Sequence, residues 1–452
     1  AAAINIDRWM LCFIPHTYHA STLYNPKIPM GNTYSIELTN MTKTKNENSS
    51  EPATKRRSAD GNAVREEKRR KWLAKQEKKQ QQQMAAQERD KWIQQHNQFV
   101  RQVTLSDIDH ETLEDSGSAD ALRPYRDLQD SDNRNQKQGD ENNNYFIAEG
   151  TETVRLLLQQ FCSDSPTAYQ RRFPPIEIKS IFVKPSVFFE KPVALIKDVE
   201  YTITCNKTYV NEEASKKDHH TQQSTKESPP YSVLIGTDEV QSNVVGFPFS
   251  RGALAVGVIP PWKEDEDWLH KYLKSHPRFS QTNDTNDENR RRPALRLLAL
   301  DGICDTANLG SMIRCASAFG VDAMLLSHDC CDAWYRRAVR VSMGHCCRVP
   351  CVRVRSLADT IKQMKNELGV ESYAAVIDTD SELILEKVAP GDITGAWCCV
   401  MGNEGNGVSK QVVKACSKRI RIDMVDGVDS LSVPIATGIL LHGLRQKEEA
   451  KV

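Results

Sequence analysis

Nowhere in the sequence do apolar residues run on for the roughly 18 positions that a membrane-spanning helix needs, so a soluble protein is expected. No CxxC pair occurs, and Cys347 and Cys351 have the wrong spacing and no partner pair, which argues against structural zinc. The one glycine-rich loop runs GxxGxG rather than GxGxxG and no GK[ST] follows it, which argues against dinucleotide and nucleoside-triphosphate binding. Net charge is lacking too. The 60 basic residues balance 60 acidic ones, which by itself predicts no affinity for nucleic acid, although the average hides local stripes. The opening Ala1-Ala2-Ala3 has neither a methionine nor a signal-peptide pattern, so a fragment or a doubtful gene start is expected, with Met30 and Met41 as alternative starts.

What is present is uneven. Hydrophobic residues make up only 39% of 452, so a chain long enough for about three domains holds much that is not core. Most of the 13 cysteines follow residue 300 in apolar runs, including the neighbours Cys330-Cys331, Cys346-Cys347 and Cys398-Cys399. Reduced, buried thiols of an intracellular protein are the expectation. Residues 1–140 read as a charged, low-complexity extension, largely disordered or helical, with Arg65 to Gln98 able to form a helix that has few apolar anchors. Its basic part reads either as an arm for RNA phosphates, or a nuclear address around Lys55-Arg56-Arg57, or as a solvated extension. The acidic stretch from Asp107 to Glu141 offsets its charge and favours the last.

From Asn144 strands and short helices alternate, with strands expected at IKSIFVK, VALIK, YSVLIG and ALAVGVIPP, so residues 141–262 read as a small α/β domain. The polar stretch near 207–230, with His219-His220, reads as a loop insertion rather than a metal site. Residues 263–293 are acidic and then Asn/Asp-rich, and read as a linker. Residues 294–448 alternate regularly: ALRLLALDGI, a helix from Leu309 to Phe319, VDAMLLS, a helix from Trp334 to Met343, VPCVRV, a helix from Leu357 to Leu368, SYAAVID, AWCCVMG, a helix from Lys410 to Cys416, RIRID, and a helix from Pro434 to Gln446. Strands apolar on both faces and separated by helices predict a parallel sheet covered on both sides.

Ligand sites in such sheets lie beyond the carboxyl ends of the strands, and three unusual segments fall there. Asn308-Leu309-Gly310-Ser311-Met312-Ile313-Arg314 offers Asn308 as a helix N-cap and Arg314 further along the helix. Met401-Gly402-Asn403-Glu404-Gly405-Asn406-Gly407 is a glycine loop that lets backbone amides approach a ligand. Asp429 to Ala436 is a polar loop running into a helix, with Pro434 suited to its first position. Each segment alone is weak; their order and spacing discriminate.

In that order and spacing they resemble the motifs of the SpoU or TrmH branch of the SPOUT methyltransferases. Asn308 to Arg314 resembles the first motif, VMGNEGNGVS the second and DSLSVPIATGILLHGL the third, so that the likeness covers about residues 294 to 447. The region from about Asn144 to Pro261 is similar to the small ribosomal-protein-like substrate-binding domain that often precedes that fold. The resemblance implies a parallel-sheet α/β SPOUT fold with a carboxyl-terminal trefoil knot, an exception to the rule that chains do not thread loops. It implies S-adenosyl-L-methionine held in the knot by backbone groups of Gly402, Ile422 and Leu431, and Asn308, Arg314 and Glu404 at the catalytic polar positions. It also implies a homodimer acting on tRNA or rRNA. Ser432 stands where the family usually has Asn, and Pro434 where a small residue is more common, which puts positioning of the substrate ribose in question.

The implied reaction moves a methyl from a sulfonium to a ribose 2'-hydroxyl and needs no metal. It needs alignment and an outlet for the hydroxyl proton. The family proposal makes Arg314 the general base, yet a guanidinium holds its proton in almost any site, so a phosphate and oxyanion contact is the preferred role and the proton's acceptor stays open. RNA contact is also expected from the basic stretch Trp334 to Ser356, with Arg336, Arg337, Arg340, Arg348, Arg353 and Arg355, and with Trp334-Tyr335 as stacking surface. Two rival readings stand beside the enzyme: a catalytically weak RNA-binding or assembly factor, motivated by Ser432 and the long extension, and methylation of a base.

Overall fold

The computed structural model describes residues 54–105, 107, 122–126, 128, 144–159, 176–190, 195–202, 231–279, 293–378, 380–425, 427–428 and 430–448. The expectations for residues 1–53, for most of the acidic stretch, for the insertion near 207–230 and for residues 280–292 lie outside them. The chain divides into two units, Ala1–Glu77 and Lys78–Val452. Of the first, the described part is the start of a 42-residue helix, α1 (Thr54–Gln95), exposed throughout residues 65–77. Good helix formers with almost no apolar face give a helix that buries nothing there.

The second unit holds two sheets. The smaller has the order β1 (Val100–Gln102), β4 (Ser232–Ile235), β3 (Ile178–Val183), β5 (Ala253–Val258), β2 (Tyr145–Glu149), with β5 antiparallel to β3 and β2. Helix α2 (Thr151–Gln159) follows β2, α3 (Pro185–Phe189) follows β3 and α4 (Asp238–Val245) follows β4. Two expectations are corrected here. The described part of the VALIK segment, from Leu195, leads into a helix from Ile196 to Thr202 rather than a strand. And β1 lies inside the stretch read as an unstructured extension; Val100 pairs with Val233 in parallel, and its neighbour Trp92 packs edge-on against Phe188 at 5.4 Å. A three-residue strand is too short to be seen by alternation, and the partner that recruits it lies over 100 residues away.

The linker expected at 263–293 is also ordered at its start. Helix α5 (Glu266–Lys274) buries Leu269, Tyr272 and Leu273, and buried His276 meets the Asp322 carboxylate at 3.3 Å. Its apolar residues follow a helical period that the surrounding charge masks.

The larger sheet has seven strands, all parallel, in the order β10 (Leu383–Ile384), β12 (Lys418–Arg421), β9 (Glu371–Ala375), β11 (Ala396–Gly402), β6 (Leu295–Asp301), β7 (Ala323–Leu326), β8 (Cys351–Arg353). All seven residues of β11 are buried, as its run AWCCVMG requires. Each large aliphatic residue so buried contributes about 1.5–3 kcal/mol. The helices are α6 (Thr306–Phe319), α7 (Arg336–Val341), α8 (Leu357–Leu368), α9 (Lys410–Ala415) and α10 (Val433–Lys447), within a few residues of the expected spans. From β6 the chain runs outward through β7 to β8, then returns to the far side of β6 for the remaining strands. That reversal of strand order puts a topological switch point at the carboxyl ends of β6 and β11.

Candidate active site

Gly402 ends β11 in register with Asp301 at the end of β6. Beyond it the chain turns sharply: Asn403 and Gly407 exchange two backbone hydrogen bonds of 3.1 and 2.9 Å. The Asn403 side chain organises the turn, accepting from the Gly405 and Asn406 amides at 2.9 and 3.2 Å and donating to the Gly302 carbonyl at 2.8 Å. Any Cβ on residue 402 would overlap the Gly407 carbonyl carbon and the Val408 nitrogen, so this position admits glycine alone.

This loop forms one wall of a cleft of about 490 Å³. The other walls come from Ala375–Asp378 after β9, from Ile420, Ile422 and Met424 along and after β12, and from Leu431 with Val433, Ala436 and Leu440 of α10. Gly402, Glu404, Ile422 and Leu431, from three separate segments of sequence, therefore share one cavity. Apolar side chains backed by loop amides and carbonyls suit a flat, partly polar ligand.

Helices α6 and α10 bring the remaining residues to the same end. Gly438 faces the Cys315 thiol, and one turn further on both helices His442 and Phe319 rings lie 5.7 Å apart, so the helices run parallel. Asn308, expected as N-cap, is the third helical residue. The cap is Asp305, whose carboxylate accepts from the Ala307 and Asn308 amides at 2.7 and 2.8 Å. That frees the Asn308 side chain, which donates to Glu404 at 2.6 Å. Gly310 lets α7 come close, because a Cβ there would sit 2.7 Å from the Ala338 carbonyl oxygen.

Arg314 is exposed on α6, and its side chain makes no hydrogen bond or ion pair among the described residues. Beneath it, burial, and then the charges of Arg348 and Arg314, hold the His345 imidazole down to about 4. Ser432 is the N-cap residue of α10 by position, with Pro434 second in the helix rather than first, but its hydroxyl makes no capping bond and is exposed between the cleft residues Leu431 and Val433.

The basic stretch does not form the expected surface. Arg336 donates to buried Glu149 of the small domain at 3.2 Å and to the Leu128 carbonyl at 2.6 Å, and Arg340 lies 3.7 Å from the same carboxylate. Arg353 donates to the carbonyls of Ser327, His328 and Cys330 at 3.1, 2.7 and 2.9 Å. Trp334 is buried against Phe146 at 4.8 Å, so it offers no stacking face. Arg337, Arg348 and Arg355 stay exposed.

Residues 296–442 match the SpoU rRNA Methylase family. That match takes in about a third of the chain, at its carboxyl-terminal end. Two curated relatives of this SpoU domain are 23S rRNA (guanosine-2'-O-)-methyltransferases RlmB. That of Haemophilus ducreyi is 34% identical over 154 residues, 33% of this chain and 60% of the relative. That of Escherichia coli strain K12 is 35% identical over 152 residues, again 33% of this chain and 60% of the relative. The chain thus spans about 60% of the length of these relatives. Among solved structures, an AdoMet-bound rRNA methyltransferase from Sinorhizobium meliloti is 19% identical with a TM-score of 0.49, covering 76% of this chain and 97% of that one. The SpoU match takes in every predicted site residue, from Asn308 to Ser432.

Proposed function

We propose that the protein is an S-adenosyl-L-methionine-dependent RNA methyltransferase that modifies a ribose 2'-hydroxyl of tRNA or rRNA. The observation that carries the reading is the cleft shared by Gly402, Glu404, Ile422 and Leu431 inside a SpoU domain, with Asn308 hydrogen-bonded at its rim. The cleft residues fit the methyl donor: Met401, Ile422, Leu431 and Leu440 offer apolar walls for adenine, and the side-chain-free Gly402 exposes backbone for polar contacts. When bound, the donor supplies a methyl carried on a sulfonium. Glu404 and Asn308 fix each other's orientation at the rim, and Arg314, unpaired among the described residues, binds the substrate phosphate and steadies charge developing on the ribose oxygen.

A trefoil knot and a homodimer belong to the same reading. The path from β12 through the cleft loop into α10, which packs back on α6, supports a threaded carboxyl terminus. Ile435 and Ile439, 57% and 38% exposed one turn apart on α10, support a second copy against that helix. An intracellular setting suits the ten described cysteines, all of them free thiols.

Calorimetric titration with the donor and tritium transfer to bulk RNA test the activity. Gly402→Ala is expected to abolish donor binding, while Arg314→Ala leaves donor affinity within a few-fold and lowers transfer by about two orders of magnitude. Donor binding with no transfer to any RNA favours the assembly factor instead, and nucleoside analysis of the product separates ribose from base methylation.

A further inference from the structure

The α1 helix is sorted by charge in a way its composition conceals. Residues 65–75, REEKRRKWLAK, hold six cations and two acids. At about 100° per residue, Arg65, Lys68, Lys71, Trp72 and Lys75 fall within an arc of about 120°, and Glu66 lies on the opposite side. Each acid is engaged by a cation one turn on, Glu66 by Arg70 at 3.5 Å and Glu67 by Lys71 at 2.6 Å. Arg65, Lys68 and Lys75 have no ion pair among the described residues. Trp72 falls inside the cationic arc, between Arg65 and Lys68, with 59% of its surface exposed. Nothing in the packing of residues 65–75 uses the indole, and of the cations only Arg70 and Lys71 are engaged there, by Glu66 and Glu67.

We infer that this face of α1 is a docking surface for RNA, in which Arg65, Lys68, Lys71 and Lys75 contact successive phosphates and Trp72 stacks on an unpaired base. The inference rests on the RNA-modifying reading of the SpoU domain, and extends it to a second contact on residues the SpoU match does not cover. The chemistry selects RNA over an anionic membrane. A helix that lies in a lipid surface needs a continuous apolar stripe between its cations, whereas here Trp72 is the one apolar residue in the arc and Leu73 lies on the other side. An isolated aromatic among cations is the arrangement that holds single-stranded nucleic acid, where the backbone is tracked by charge and a base by stacking. With Arg336 and Arg353 engaged inside the protein, α1 offers a cationic surface apart from the stretch at 334–356.

The test compares the full chain with a quadruple variant, Arg65→Gln, Lys68→Gln, Lys71→Gln and Lys75→Gln, and with Trp72→Ala. Glutamine keeps helix propensity, and far-UV circular dichroism verifies that α1 persists. Affinity for a single-stranded RNA and for a duplex RNA is measured by anisotropy across a salt series. The quadruple variant is expected to bind at least tenfold more weakly at low salt, and its dependence of log affinity on log salt is expected to flatten by about 3, as loss of four phosphate contacts to a single strand requires. Trp72→Ala is expected to weaken the single strand about fivefold or more with no change in that slope, and to leave the duplex unaffected. KM for RNA rises in the quadruple variant and kcat at saturating RNA does not change. Unchanged affinity and slope in the quadruple variant, with methyl transfer intact, overturns the docking face and leaves the proposed activity standing. A salt-slope difference in a protein that transfers no methyl does the reverse. Binding to phosphatidylserine vesicles that the same substitutions remove, with RNA affinity unchanged, assigns the face to a membrane and overturns the proposal.

Discussion

Asn308 donates from its side-chain amide to the Glu404 carboxylate across 2.6 Å, tying the first turn of α6 to the loop after β11. The bond exists because Asp305 has taken over the capping of α6. Two sequence motifs nearly a hundred residues apart thereby become one rim. Asn308→Ala and Glu404→Gln are each expected to lower methyl transfer, and the two together by less than the product of the single losses. A coupling of about 1 kcal/mol, roughly fivefold, is the expectation for one hydrogen bond between exposed groups. Strictly multiplicative losses in single-turnover rates would show that the two residues act separately.

Ser432 stands at the head of α10 without capping it, so Ser432→Ala should leave the thermal midpoint where it is. Transfer should fall about fivefold, the worth of a neutral hydrogen bond, and Ser432→Asn should raise it by restoring the longer amide. Donor affinity should hold in both, because the contacts assigned to this loop are backbone contacts at Leu431. Equal single-turnover rates for all three side chains would remove Ser432 from the site.

Glu149 lies 3% exposed among Arg336, Arg340 and Arg251, and joins the small domain to the SpoU domain. Glu149→Ala leaves the mostly buried Arg336 guanidinium without its counter-ion and should cost up to about 3 kcal/mol, solvent screening the more exposed Arg340 and Arg251. Replacing Glu149 and Arg336 together by Leu and Met should recover most of that loss. Denaturant midpoints decide it: a double variant as unstable as the single one would mean that shape, not charge, holds the domains.

His345 is held down to about 4 by burial and by the neighbouring Arg348 and Arg314, and its ring meets the Ser317 hydroxyl at 2.7 Å. The unfolded chain takes up the proton near pH 6.5 and the folded one only near 4, so this residue's stability contribution is full above 6.5 and is lost as pH falls to 4. Its upper bound is on the order of 3 kcal/mol, less whatever solvent screening removes. His345→Gln should flatten the stability curve across that window. An unaltered acid limb, followed by thermal melts from pH 7 to pH 4, would place the acid sensitivity elsewhere.

Much of the SpoU domain was legible because its signals are local. Leu357 to Leu368 matches its expected helix at both ends, since Ser356 caps it and left-handed Gly369 ends it. Gly402, Ile422 and Leu431 line one cavity from motifs that the sequence shows only in their order. The helix at Glu266–Lys274 was hidden because charged residues outnumber the three it buries, and β1 because three residues carry no period.

By itself, then, the sequence determined the alternation of strands and helices and the glycine at 402, because propensity, period and backbone freedom are properties of neighbouring residues. Tertiary structure decided which groups are spent. Arg336, Arg340 and Arg353 read alike along the chain as RNA-facing charge, yet the fold places Glu149 and a set of open carbonyls beside them and engages their guanidinium groups within the protein. Arg314 meets no such partner among the described residues and stays exposed. Whether a charge faces solvent or a buried carboxylate depends on strands and helices over a hundred residues apart, and only their packing settles it.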